Sequence, residues 1–204
     1  MVLKPKNSRK PARKPGLARY ELVLEAAARL ILTKNSLEGL TLQAVANEAK
    51  VPRVSLYYFF ASINELIDTL YRRGVDRLMA EIGAYPESSD WRELMAFAID
   101  ATAEFYKENK LEMVLSLSPY TVQFTQNINP EIGRSIHAAL IDQAGVPSTK
   151  RVARAFELVG DVADTIWRRS YIKHGKITAD YNECVHEAVI SFLAQVLDNP
   201  NSAT

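Results

Sequence analysis

Thr41-Leu-Gln-Ala-Val-Ala-Asn-Glu-Ala-Lys50-Val-Pro-Arg-Val-Ser-Leu-Tyr-Tyr-Phe-Phe60 is the stretch whose reading decides the fold. It reads as two short helices separated by the turn Ala49-Lys50-Val51. Thr41 is placed to cap the first helix, its hydroxyl accepting an otherwise orphaned backbone N–H. Leu42, Val45, Ala46 and Ala49 then fall on one helical face. Pro52 suits the first turn of the second helix, where its missing N–H costs nothing, and Leu56 with Phe60 forms an i, i+4 apolar anchor. Arg53, Val54, Ser55, Tyr57 and Tyr58 are left pointing outward.

Those outward groups suit the major groove of duplex DNA. Arg53 can donate two parallel hydrogen bonds to guanine O6 and N7, and Val54 can touch a thymine methyl. Ser55 can reach a base edge or a phosphate, and the tyrosine hydroxyls can donate to phosphate oxygens. Charge supports the same partner. Residues 1–20 hold Lys4, Lys6, Arg9, Lys10, Arg13, Lys14 and Arg19 and no acid; through Phe60 the count is eleven basic against four acidic residues. The remainder carries fourteen basic and twenty acidic residues, so a net charge of +1 hides a positive front and a negative back. Such a dipole turns the front towards a polyanion. Residues 1–17 are read as a flexible basic arm, with Arg9, Lys10, Arg13 and Lys14 available to phosphates or the minor groove.

Residues 18–70 resemble the DNA-binding domain of the tetracycline-repressor (TetR) family. The resemblance is carried by Ala18-Arg-Tyr-Glu-Leu-Val-Leu-Glu-Ala-Ala-Ala-Arg-Leu30, Glu38-Gly-Leu-Thr41, Val51 to Phe60, and Asn64-Glu-Leu-Ile-Asp-Thr-Leu70. It implies a helical homodimeric transcription regulator, usually a repressor, whose C-terminal domain binds a small effector that releases the operator. By position it assigns groove contacts to Gln43, Arg53, Val54, Ser55, Tyr57 and Tyr58, and a phosphate contact to Thr41. The chain departs from the family pattern at four places. Lys50 stands where glycine is common in the turn, a left-handed position that costs a side chain roughly 1 kcal/mol, though a lysine there can also touch phosphate. Pro52 replaces a capping serine, Phe59 a small polar residue or histidine, and Ile63 a phosphate-binding lysine. Two backbone anchors are thereby lost, and the basic arm is expected to supply some of that attraction.

The expected fold is all-α: a three-helix helix–turn–helix domain over 18–61 and an effector-binding and dimerisation domain over 62–204, about nine helices in total. Periodicity and Pro/Gly punctuation place helices near 18–34, 41–49, 52–58, 62–82, 90–109, 111–117, 129–144, 148–173 and 178–198. The last two are expected to form the dimer interface as a four-helix bundle, through Phe156, Gly160 and Ala163 on one and Val185, Val189, Ile190, Leu193 and Leu197 on the other. The helix from 62 to 82 is expected to join the domains.

Large and adaptable side chains in the middle helices mark the expected effector pocket: Met95, Phe105, Tyr106, Met113, Leu117, Tyr120, Phe124, Trp167 and Tyr171, with Thr102, Gln123, Gln126 and His137 as polar pins. They suit a small, largely hydrophobic effector. Asp100, Glu104, Asp161 and Asp164 fall on polar faces and are read as solvated.

Other classes find less support. There is no Gly-rich phosphate loop, His-Glu-x-x-His, Gly-x-Ser-x-Gly or acidic metal cluster, and His137, His174 and His186 are scattered, so no enzyme, metal site or cofactor is expected. Cys184 is the sole cysteine, which suits a reducing cytoplasm; with His186 it offers at most two metal ligands on one helix. No run of about 18 apolar residues suggests a membrane span, and no secretion signal is read. The alternative is an architectural DNA-binding protein without an effector, which would lack a cavity and discriminate little between sequences.

Overall fold

The computed structural model describes residues 14–83 and 85–198, and among them every regular element is helical. The helices are α1 (Lys14–Lys34), α2 (Leu42–Ala49), α3 (Arg53–Phe59), α4 (Ile63–Ile82), α5 (Trp91–Glu108), α6 (Lys110–Leu117), α7 (Val122–Ala144), α8 (Lys150–His174) and α9 (Ala179–Leu197), with one 3-10 turn at Pro119–Thr121. Side-chain caps set several boundaries. Thr41, Ser62, Asp90 and Thr149 each accept a backbone N–H from the first turn of α2, α4, α5 and α8. At α4 the box is reciprocal: Ser62 Oγ accepts from Glu65 N, and Glu65 Oε2 accepts from Ala61 N at 2.7 Å.

Two expectations about helix extent are corrected. Helix α1 begins at Lys14, inside the stretch read as flexible arm. Helix α7 begins at Val122 and runs through Pro130, where a helix start had been expected at 129. A proline inside a helix forfeits one backbone hydrogen bond and crowds the preceding turn. Burial offsets that cost: Phe124, Thr125, Ile128 and Asn129, at i, i+1, i+4 and i+5, all face inward.

Two apolar clusters form the interior. One joins α1, α2, α3 and the first half of α4, and also takes in Val114 and Leu115 of α6 and Phe124 and Ile128 of α7. The other joins Leu78 and Ile82 at the far end of α4 with α5, α7, α8 and α9. Helix α4 therefore packs into both, as do α6 and α7, so the division expected at residue 62 runs through shared packing. Helices α7 and α8 cross almost backbone to backbone. A Cβ on Gly133 would lie 2.0 Å from the Phe156 carbonyl oxygen, and one on Gly160 would lie 2.9 Å from Asn129 Cβ.

Candidate DNA-binding face and effector cavity

The helix–turn–helix is built as its local chemistry dictates. Thr41 Oγ1 accepts from Ala44 N at 3.1 Å, and Leu42, Val45 and Ala46 are buried. Lys50 sits at φ 54°, ψ 40°, closing α2 in the left-handed conformation. Pro52 then precedes α3 with no side-chain cap. Leu56 and Phe60 are buried, and Phe60 stacks on Tyr20 of α1 at 5.1 Å between ring centroids. Phe59, the departure at a position usually polar, is also buried and meets Tyr20 edge-on at 5.7 Å. It strengthens the seat of α3 against α1 and gives nothing to the surface, a role visible only once α1 is in place.

The outward face of α3 is bare. Val54 is 82% exposed and Tyr58 63%; Arg53 and Tyr57 are exposed and Ser55 is half-buried. An isolated exposed valine needs no explanation, but here it stands between an arginine and two tyrosines on one short helix. Arg53 lies along that helix, donating from Nε and Nη2 to the Tyr57 hydroxyl at 3.2 and 2.7 Å, with its guanidinium 5.2 Å from the ring centre. Gln43 and Lys50 are exposed beside it, and Gln43 Nε2 donates to Asn47 Oδ1 at 2.9 Å. Arg29 pairs with Glu48 across α1 and α2 at 3.0 Å. Arg73 grips Glu21 through two hydrogen bonds of 2.6 and 2.8 Å, tying α4 to α1. Such half-exposed pairs add little stability but fix the angle between helices. Arg9, Lys10 and Arg13 lie outside the described residues, and Lys14 is the first residue of α1.

Behind this head, α4, α5, α7 and α8 enclose a cavity of about 50 Å³. Of the residues proposed from sequence for an effector pocket, Met95, Thr102, Tyr106 and Trp167 are on its wall. The other expected pocket residues lie elsewhere. Met113 and Leu117 are packed in the core, Phe124 belongs to the cluster under the DNA-binding helices, and Tyr120 is exposed. Phe105 lines a separate gap of about 10 Å³, and Tyr171 is half-buried away from the wall. His137 stacks on Phe156 at 4.7 Å and donates from Nε2 to the Pro147 carbonyl at 3.0 Å. Gln123 and Gln126 are exposed. The wall is completed by aliphatic residues and by two polar groups outside the expected set, Asn129 and Asp164, the second of which had been read as solvated.

Asp164 corrects the reading of a solvated acid: it is only 8% exposed. Asn129 Nδ2 donates to both Asp161 Oδ1 and Asp164 Oδ2, at 2.9 and 3.1 Å, and Arg168 approaches Asp164 at 3.6 Å. Burial raises the Asp164 carboxyl to about 6, against the lowering by Asn129 and Arg168. Tyr106, shut off from water, is raised as well. The Trp167 indole N–H donates to Asn182 Oδ1 at 3.0 Å, which orients that ring and joins the cavity wall to α9.

The expected dimer residues also need correction. Phe156, Val185, Val189 and Leu193 are wholly enclosed within the single chain, and Ala163 is buried beside the cavity. Gly160 serves the approach of α7. The apolar stripe of α8 identified from sequence therefore faces α7, and of the expected dimer residues Gly160 on α8 and Ile190 and Leu197 on α9 stay half-exposed.

A bare seven-residue helix seated by a turn on a three-helix head, ahead of an all-helical body with a small cavity among its helices, is the architecture of a helix–turn–helix DNA-binding protein. The sequence model of the tetR family of bacterial regulatory proteins matches residues 23–70. Similar solved structures carry the likeness over the whole body. A TetR-family transcriptional regulator from Streptomyces coelicolor matches with a TM-score of 0.67 at 20% identity, over 88% of this chain and 99% of that one. A chain from Shewanella sp. PV-4, described as a tetR family transcription regulator, matches at 0.55 and 18%, over 88% and 97%. A TetR-family regulator from Haemophilus influenzae Rd matches at 0.51 and 18%, over 87% and 97%. No protein of curated function matches the chain in sequence. Residues 23–70 thus resemble the DNA-binding domain of tetR-family regulatory proteins, and the described chain shares the fold of these regulators. Among the described residues no His/Cys/Asp/Glu group is arranged for a metal, and no helix is long and apolar enough to cross a membrane.

Proposed function

We propose that this protein is a ligand-responsive regulator, acting as a repressor in the cytoplasm, that grips a pseudo-palindromic operator as a homodimer and lets go when a small molecule enters the cavity. The observation that carries this reading is the double allegiance of α4. Its first half packs under the DNA-binding helices, and its Leu78 lines the cavity. Any ligand that enlarges the cavity pushes on the helix that sets the tilt of the head. At about 50 Å³ the cavity holds a few waters, well below the 300 Å³ at which typical ligand sites begin. The ligand-bound state is therefore more open than this one, and a ligand acts by favouring it.

For the second copy we propose the outer face of α8 and α9. Leu158 (45% exposed), Val162, Thr165, Arg169 and Ile172 (56% exposed) recur at spacings of four and three on α8. Cys184, Ala188, Ser191 and Gln195 do the same on α9. Two such stripes from each protomer make a four-helix interface, and its two-fold axis sets half-sites about 34–36 Å apart. Arg53, Val54 and Ser55 are the proposed base readers; Thr41, Gln43, Lys50, Tyr57, Tyr58 and the basic arm with Arg9, Lys10, Arg13 and Lys14 are the proposed backbone contacts. The test is salt-titrated binding of the full chain to the DNA flanking its own gene, with and without candidate hydrophobic compounds. Specific binding reversed by a compound supports the reading. Equal affinity for that DNA and random DNA refutes it.

A further inference from the structure

We infer that the cavity selects an apolar molecule bearing a protonated nitrogen, with Asp164 as its counter-charge. This rests on the effector reading above and narrows it from a merely hydrophobic ligand to a cationic one. The wall is mostly aliphatic, from Leu78, Ile99, Ile132 and Val159, with the Tyr106 and Trp167 rings edge to face at 6.1 Å. Such faces accept both an apolar body and a cation. At the polar end stands Asp164, which shares the Asn129 amide with Asp161, a second carboxylate just outside the wall.

The remaining cation is spread thin. Arg168 stands 3.6 Å from Asp164, and it also donates to the Ser118 carbonyl and, at 3.3 Å, to Thr125 Oγ1. The other charged group in the neighbourhood, Arg72 on α4, is held by Asp68 at 3.0 Å. From α4 and α5 the acid is faced by the hydroxyls of Tyr71 and Tyr106, both of which burial holds protonated. The cluster thus carries two negative charges against one shared positive charge. A ligand carboxylate or phosphate would add to the excess, and a neutral ligand would leave it in place. An ammonium or amidinium group cancels it beside a largely apolar wall, where a charge pair is stronger than in open water.

The test is isothermal titration of the full-length protein with a matched series of phenylalkyl amines, alcohols and carboxylates of increasing chain length, paired with release of labelled operator DNA. The amines are expected to bind at least about tenfold more tightly than alcohols of the same length, and the carboxylates not measurably. In Asp164→Asn the amine advantage should shrink to within about twofold while the alcohols bind as before. In the unaltered protein, amine affinity should fall between pH 7.5 and pH 5, as the carboxylate gains its proton, and alcohol affinity should stay level. Alcohols or carboxylates that bind and release DNA as well as the amines do would overturn the cationic assignment while leaving the effector reading standing. An amine preference that survives Asp164→Asn would overturn it as well. Should no member of the series bind at millimolar concentration, the assignment also falls, and the DNA-binding result remains to judge the regulator reading separately.

Discussion

In the proposed function, Arg53 is the residue on which sequence reading by α3 most depends. In the free protein it folds back on Tyr57, so its guanidinium is already held near the helix surface and its side chain has less freedom to lose on reaching a base. Arg53→Ala is predicted to cost about 1–3 kcal/mol of operator binding and to relax discrimination at one base pair in each half-site, as read by competition with single-base operator variants. Asp164 makes a different kind of prediction. Its folded carboxyl titrates near 6, above the ordinary value of 3.8, so the folded protein holds the proton where the unfolded chain has released it. Stability attributable to this group is therefore greatest below about pH 4 and falls as pH rises to about 6. The full penalty above that is about 3 kcal/mol. Asp164→Asn should then raise the stability measured by urea unfolding at pH 7.5 by up to about that amount, and the gain should vanish near pH 4. The caps and the turn were legible in the sequence because Thr41, Lys50 and Leu56 act through neighbours a few positions away. Asp164 was not legible: the approach of α7, which brings Asn129 against it, together with α4 and α5 takes it out of water.

At the scale of the helix, two contacts set how the body can move. The α7–α8 crossing depends on Gly133, which lets the Phe156 carbonyl come within reach of where a side chain would start. Gly133→Ala must push the two helices apart, and it is predicted to destabilise the protein by about 1–3 kcal/mol, read as a lowered urea midpoint. Helix α6 is the second. Its Val114 and Leu115 pack under the DNA-binding helices, its buried Glu112 pairs with Arg77 of α4, and Arg168 holds the Ser118 carbonyl that ends it. The cavity acid and the head are thus linked through α8, α6 and α4 by packed groups and not by a loop. The sequence missed the first half of α7 because Pro130 is a strong local stop signal, and it read the face of α8 wrongly. An apolar stripe tells that a helix is covered but not by which neighbour, and here α7 of the same chain supplies the cover.

For the molecule as a whole, the proposed dimer and the asymmetry of charge are the features that bear on DNA. Replacing Leu158 and Ile172 together by glutamate places charge on the outer stripe of α8 while leaving the enclosed core untouched. The predicted outcome is a monomer by sedimentation with an unchanged helical spectrum, and loss of operator binding by more than tenfold. Removing residues 1–13 takes away Lys4, Lys6, Arg9, Lys10 and Arg13. It should weaken binding to every sequence alike and flatten the dependence of affinity on salt. The fold class and the reading helix were legible because they rest on short-range periodicity and on a charge excess confined to one end. The cavity and the proposed interface are set by how the helices choose partners, which no window of sequence contains.

The most direct test of the central claim, that α3 reads base sequence from a bare face, is to measure the affinity of wild type and Arg53→Ala for the DNA flanking the gene and for random DNA of equal length at one salt concentration. The account predicts that wild type prefers the flanking DNA, and that the substitution erodes this preference while leaving affinity for random DNA nearly unchanged. Equal loss on both DNAs, or no preference in wild type, would contradict it.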